Sequence, residues 1–344
     1  MVTDQPAPPS EMSPTSDIAP PPDFGASQPY APVAKPARKW LGRFGGLIVF
    51  AIFAAVWAYL LLVQLLVWHF RSEVPLLFGL GAFAMAALFL YQLCYLLTPA
   101  DGIRPRVLLL VFFFGGLAAY TLSRLIEPLL DVALGGTGEK VPLAFAWLAT
   151  PTEELCKIAV VIVIARWIAI KSARNGLFIG AAVGFGFAAF ENIEKGFVTF
   201  INADGGYPLS ALQYVPVKAL FAHVASTLAF NTALRSVLTP FAHPIWTALI
   251  AAAIFATYRG NRLRITPIVV IVFVSVSVVH ALWDFLPQIF NLVFLPTSNT
   301  AGLLSYLVYV VLGTAGAIVW NVVRRRANRA AAAAIEPESL IVPG

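Results

Sequence analysis

The chain has 344 residues, of which 59% are hydrophobic and only 12% charged, with a formal net charge of +6 and a mean hydropathy of +0.82. That balance excludes an ordinary soluble globular domain. The positive charge does not imply nucleic acid, because Lys and Arg lie at the ends of apolar runs, where membrane insertion accounts for them.

Residues 1–38 are rich in Pro, Ala, Ser and Asp, lack apolar periodicity and are expected to be disordered. Apolar runs of about 20 residues then recur, long enough to cross roughly 30 Å of hydrocarbon as helices. A membrane barrel would instead show short alternating strands. The predicted fold class is therefore all-α: a polytopic transmembrane helix bundle over residues 39–326, embedded in the lipid bilayer. Eight spans are predicted: 44–68, 74–98, 107–126, 150–169, 176–200, 240–258, 265–290 and 300–323. Arg324-Arg325-Arg326 and a flexible Ala-rich end, 327–344, come after the last. The first span begins too late and is too long for a cleaved signal peptide. Cys94 and Cys156 sit in apolar segments and read as packed thiols.

A ninth apolar stretch, 214–236, is ambiguous, and loop charge decides how to read it. Lys35, Arg38, Lys39 and Arg43 place the amino-terminal tail in the cytoplasm. Arg104 and Arg106, and then Arg166, Lys171 and Arg174, fall on that side too. If 214–236 crossed, Arg259, Arg262, Arg264 and Arg324 to Arg326 would lie outside; if it does not, all lie inside. The eight-span reading leaves 214–236 as a re-entrant or interfacial helix on the outer side, with both termini cytoplasmic.

Ionisable residues inside the apolar runs are costly unless they face protein or water. The densest cluster is Thr150-Pro-Thr-Glu-Glu-Leu-Cys-Lys157. A structural reading is open here: Thr150 and Glu153 match a capping box, and Pro151 suits a first helical position. Glu153 and Glu154 are about 100° apart on a helix, so both cannot serve the cap. Lys157 is one turn from either.

The fifth span carries Phe190-Glu191-Asn192, with Glu194 and Lys195 nearer the outer end, where they read equally well as a solvated pair. Upstream, Gly176, Gly180 and Gly184 repeat every four residues, which lets another helix approach closely on nearly the same face as Glu191. His69 reads as interfacial, and His223 as core or surface. His243 opens the sixth span after Pro240, and His280 precedes Asp284 by one turn, so Asp284 can orient the imidazole or join it as a ligand. In the eight-span topology Glu153, Glu154, Glu191, His243, His280 and Asp284 share one layer in the outer half of the membrane.

The order Glu-Glu-x-x-Lys, Phe-x-x-Phe-Glu-Asn, a His opening a span after Pro, and His-x-x-x-Asp resembles the PrsW family of intramembrane proteases, over about residues 140–290. That family is distantly similar to the prenyl-protein CAAX endopeptidases and their Abi relatives. The resemblance implies peptide-bond hydrolysis in a bacterial inner membrane, acting on membrane-anchored protein substrates such as anti-sigma factors. The carried-over candidates are Glu153, Glu154, Glu191, His243 and His280, supported by Lys157, Asn192 and Asp284, although the family often has Asn where Asp284 stands. His223 matches no motif.

Chemically, one glutamate serves as general base and then acid; Glu154 is the expected base, with Glu153 held by the cap and Lys157. Two histidines and a carboxylate (His243, His280 and Glu191) suit zinc with an open position. The HExxH arrangement is absent, and a metal-free Glu/His mechanism stays open beside it. Two other classes also use such residues. An ion- or proton-coupled transporter buries them, but would normally carry inverted repeats, and none is evident. A non-enzymatic sensor or scaffold gives no reason to gather them at one depth.

Overall fold

The computed structural model describes residues 103–137, 143–203, 238–260, 262–293 and 299–333, with scattered helical positions between 48 and 90. Among them all regular structure is helical, apart from one isolated bridge between Arg259 and Arg262. We number the helices α1 (Pro105–Ala133), α2 (Leu143–Ala165), α3 (Ala173–Ala203), α4 (His243–Thr257), α5 (Pro267–Val293) and α6 (Asn299–Ala333).

Four of these contain stretches long and apolar enough to cross a membrane: Pro105–Ala133, Ala173–Val198, Pro267–Pro287 and Leu304–Ala330. The protein is an integral membrane protein. The expected spans 44–68 and 74–98 lie largely outside the described residues, and 214–236, His69, His223 and Cys94 lie wholly outside them.

Local chemistry sets the helix ends. Pro105 and Pro244 stand in the first turns of α1 and α4, and Pro267 starts α5, where the missing N–H has no helical partner to lose. α1 ends in a Schellman turn: Gly135 takes φ +86°, its N–H donates to Val132 O (3.0 Å), and the Gly136 N–H donates to Asp131 O (2.8 Å). α6 continues through Arg324 to Arg326 as far as Ala333, because the alanine run beyond them is the best helix former.

One expectation is corrected. Thr150 and Pro151 do not start a helix; α2 already runs from Leu143, and Pro151 lies inside it. The buried Thr150 hydroxyl has no hydrogen-bond partner in the structure, so the capping box is not formed. In the membrane, helix is the state that satisfies the backbone, so apolar residues upstream extend it through the proline. Thr152 Oγ1 donates to Leu148 O (2.7 Å) within this turn, the kind of side-chain bond that accommodates a helix irregularity.

The centre of the bundle is α3. Of its most apolar window 89% is buried, against 33% for α1 and for α5 and 6% for α6. The stripe Gly176, Gly180 and Gly184 lies against α4. A Cβ on these residues would meet Ala251 O, Thr247 O and His243 O, each at 2.5 Å, so α3 and α4 touch backbone to backbone. A second close crossing joins α3 to α1, where Gly186 packs on the Phe112 carbonyl and on Gly116. At that crossing α1 makes a π turn, Val111–Gly115. α5 turns Val276, Ser277, His280, Ala281 and Phe285 inward and exposes Ile268, Ile271, Val274 and Val278, the one-sided stripe of a helix between protein and lipid.

Candidate active site

Helices α2 to α5 carry the ionisable residues to within about 10 Å of one another along the bundle. Counting about 1.5 Å per residue from the helix ends at Ala165, Ala173, Thr257 and Pro267, Glu154, Glu191, His243 and His280 lie about 17, 27, 21 and 20 Å along their helices. Those ends adjoin Arg166, Lys171, Arg174, Arg259, Arg262 and Arg264.

The residues meet. The rings of His243 and His280 are 4.8 Å apart, nearly perpendicular. His243 Nε2 is 2.9 Å from Glu191 Oε2. His280 Nε2 faces Asp284 Oδ2 at 3.4 Å and Glu153 Oε2 at 3.8 Å. The Nδ1 atoms are held from the other side. Lys157 Nζ lies 3.0 Å from His243 Nδ1 and donates to Glu154 Oε1 at 2.8 Å. Glu154 Oε1 is in turn 3.0 Å from His280 Nδ1, an ion-pair contact. Lys157 Nζ also sits 3.9 Å from the centre of the Phe187 ring, a cation–π contact that offsets part of its desolvation. Trp246 packs on His280 at 4.5 Å between ring centroids.

Burial divides these groups. Glu154, Lys157 and His280 are at most 1% exposed, and Glu153, Glu191, Asn192 and His243 at most 8%. Only the Asp284 side chain is open, at 46%. The carboxylate of Asp284 therefore marks the side on which the cluster meets its surroundings. Asn192 lies beside Glu191 in α3 and is buried with it. Cys156 is a free, buried thiol, as its apolar setting implies.

The donors decide whether these residues suit a metal ion. Glu153, His243 and His280 each offer a ligand atom, and those atoms all lie within 4.8 Å of one another. Glu153 Oε2 is buried with no hydrogen-bond partner in the structure and only a 3.5 Å ion-pair contact from Lys157 Nζ, which leaves it able to accept a closer cation. Two imidazoles and a carboxylate are the donor set of open, catalytic zinc sites. The group fits. Lys157 Nζ lies within hydrogen-bonding distance of His243 Nδ1, and the ring tautomer sets which nitrogen carries the proton. Histidine ligates a metal as the neutral imidazole, through the ring nitrogen that carries no proton.

Residues that sequence reasoning did not single out complete the cluster from α1. Arg124 pairs with Glu127 (2.8 Å), with Glu153 (3.2 Å) and with Glu194 (3.5 Å), while Tyr120 Oη donates to Glu194 Oε2 (3.0 Å). Glu194 is thus tied into the bundle, whereas Lys195 is exposed. The available signal was Arg124 and Glu127 one turn apart near the end of an apolar run, a default indicator of an inward polar face. Glu127, Glu153, Glu154, Glu191, Glu194 and Asp284 then stand against Arg124 and Lys157, so carboxylates are in excess.

A family model described as PrsW family intramembrane metalloprotease matches residues 104–314. Among curated proteins and among solved structures, none matches the chain.

Proposed function

Because the chain belongs to the PrsW family of intramembrane metalloproteases and is a peptidase of the membrane, we propose that it cleaves membrane-anchored proteins with Glu153, His243 and His280 holding a divalent metal ion. The observation that carries this reading is the convergence of those three donors, from three helices, in a buried layer. The donor types favour zinc. When bound, the metal supplies Lewis acidity, making a water nucleophilic near neutral pH and polarising the scissile carbonyl.

The chain's own residues do the rest. Glu191, beside His243 Nε2, takes the proton of the attacking water and returns it to the leaving amine. Glu154 is enclosed between Lys157 and His280, which supports an orienting role on the His280 ring over the role of base expected from sequence. Lys157 neutralises Glu154 and fixes the His243 ring. Asp284 orients His280 from the cluster's exposed edge.

The substrate class we favour is the single-span anti-sigma type of regulator, in a bacterial inner membrane. Both termini are then cytoplasmic, with eight spans and the 214–236 segment on the outer face.

Purified protein in liposomes with a single-span substrate tests the assignment. Glu153→Gln and His280→Ala should lose both bound zinc and cleavage. Glu191→Gln should keep stoichiometric zinc and lose about 10²–10⁴ in rate, the usual contribution of a general base. Full activity in Glu153→Gln and His280→Ala would sink the site.

A further inference from the structure

Arg124 lies on α1, a helix that supplies none of the donors in the cluster of Glu153, His243 and His280. Its guanidinium nevertheless reaches that cluster, and its three nitrogens go to three different carboxylates. Nη1 takes Glu127 at 2.8 Å, Nη2 takes Glu153 at 3.2 Å, and Nε faces Glu194 at 3.5 Å. Two of these partners are themselves fixed. Glu127 is one turn away on the same helix, and Glu194 accepts the Tyr120 hydroxyl at 3.0 Å. A planar fork bound through both Nη atoms, with its Nε edge facing a third carboxylate, is confined to a narrow range of orientations. Its remaining edge meets one oxygen of Glu153, Oε1. The other oxygen, Oε2, is left turned inward, between Lys157 Nζ at 3.5 Å and His280 Nε2 at 3.8 Å.

We propose that Arg124 is a positioning residue: it holds Glu153 by one oxygen so that the other is presented, singly and in a fixed direction, to a divalent cation shared with His243 and His280. The inference rests on the metal-holding reading of Glu153. Partners that hold a ligand from outside commonly govern metal affinity by 10–100-fold.

The sign of the effect separates positioning from charge balance. A cation 3.2 Å from a ligand carboxylate repels a metal ion, so an Arg124 that only balances charge would raise zinc affinity when removed. A positioning Arg124 lowers it when removed. The experiment is a zinc titration of the full-length apoprotein in detergent against a chromophoric competitor chelator. Wild type, Arg124→Met, Arg124→Lys and Tyr120→Phe are compared, each with its thermal unfolding.

We expect Arg124→Met to weaken zinc by about 10–100-fold. Arg124→Lys, which keeps the charge without the fork, should recover only part of the loss. Tyr120→Phe removes a single hydrogen bond one step further out, and should weaken zinc by a few-fold while every charge of the cluster stays in place. Zinc binding that is unchanged or tighter in Arg124→Met and in Tyr120→Phe, with wild type loading stoichiometrically, overturns this inference alone. A wild type that takes up no zinc overturns the metal-holding reading and this inference with it.

Discussion

Helices α3 and α6 are close in apolar character and opposite in use. Their most apolar windows have mean hydropathies of 1.5 and 1.8, yet 89% of the first is buried and 6% of the second. Hydropathy reports that a helix enters the membrane, and not what it touches there. The distinction lies in the small and the ionisable residues. α3 has glycines wherever α4 or α1 crosses it, and carries Glu191 beyond them. α6 shows Leu307, Val310, Val311 and Ile318 outward. Where it meets the bundle, it does so through side chains, such as Tyr309 on Trp283 at 4.6 Å.

The layer around α3 should therefore be brittle and the α6 side tolerant. The largest effect is expected at the buried charges. Lys157→Met leaves Glu154 enclosed without its cation and should cost about 3–5 kcal/mol, read as a large drop in the unfolding temperature in detergent. Adding Glu154→Gln should restore much of that stability and none of the proteolysis. If Lys157→Met unfolds like wild type, the pair is not carrying the layer.

Glycine offers a sharper contrast, because one substitution has opposite signs in the two regions. Gly184→Ala puts a Cβ 2.5 Å from the carbonyl oxygen of His243. The expected loss is about 1–3 kcal/mol from overpacking, with proteolysis falling further than stability because His243 itself must shift. Gly316→Ala on α6 finds its nearest neighbour, the Ile245 side chain, at 3.4 Å. That is ordinary contact, so the variant should gain up to about 1 kcal/mol from helix propensity and keep full activity. Equal responses at the two glycines would erase the distinction. The smallest effect belongs to the outer face: Val310→Ala, at a position 56% exposed, should stay within about 0.5 kcal/mol in thermal unfolding and leave substrate cleavage unchanged.

Much of this layer was legible before any coordinates. Loop arginines suggested an eight-span topology that would put Glu153, Glu154, Glu191, His243, His280 and Asp284 at one level; ion-pair and ring contacts link these residues. The glycine stripe anticipated a close neighbour beside Glu191, which is α4. What the pattern did not carry was long-range or context-dependent. Thr150-Pro-Thr-Glu reads locally as a helix start, but a lipid environment keeps the backbone helical through Pro151, and Glu153 spends its side chain on Arg124. That partner lies 29 residues away, and no spacing rule within one helix links them. Gly186 was passed over because it stands outside the four-residue repeat and answers to α1 instead of α4.

The π turn at Val111–Gly115 acts as a phase shifter for the rest of α1. A turn of this kind amounts to one residue more than an α-helix needs, and each added residue rotates the remainder of the helix by about 100°. Tyr120, Arg124 and Glu127 all lie beyond the turn, and owe their bearing toward Glu153 and Glu194 to that single surplus residue. A one-residue deletion within Val111–Gly115 would leave α1 long, apolar and fully helical, and would swing its guanidinium out of reach of the carboxylates. The chain would keep every ionisable residue of the cluster and lose their registration.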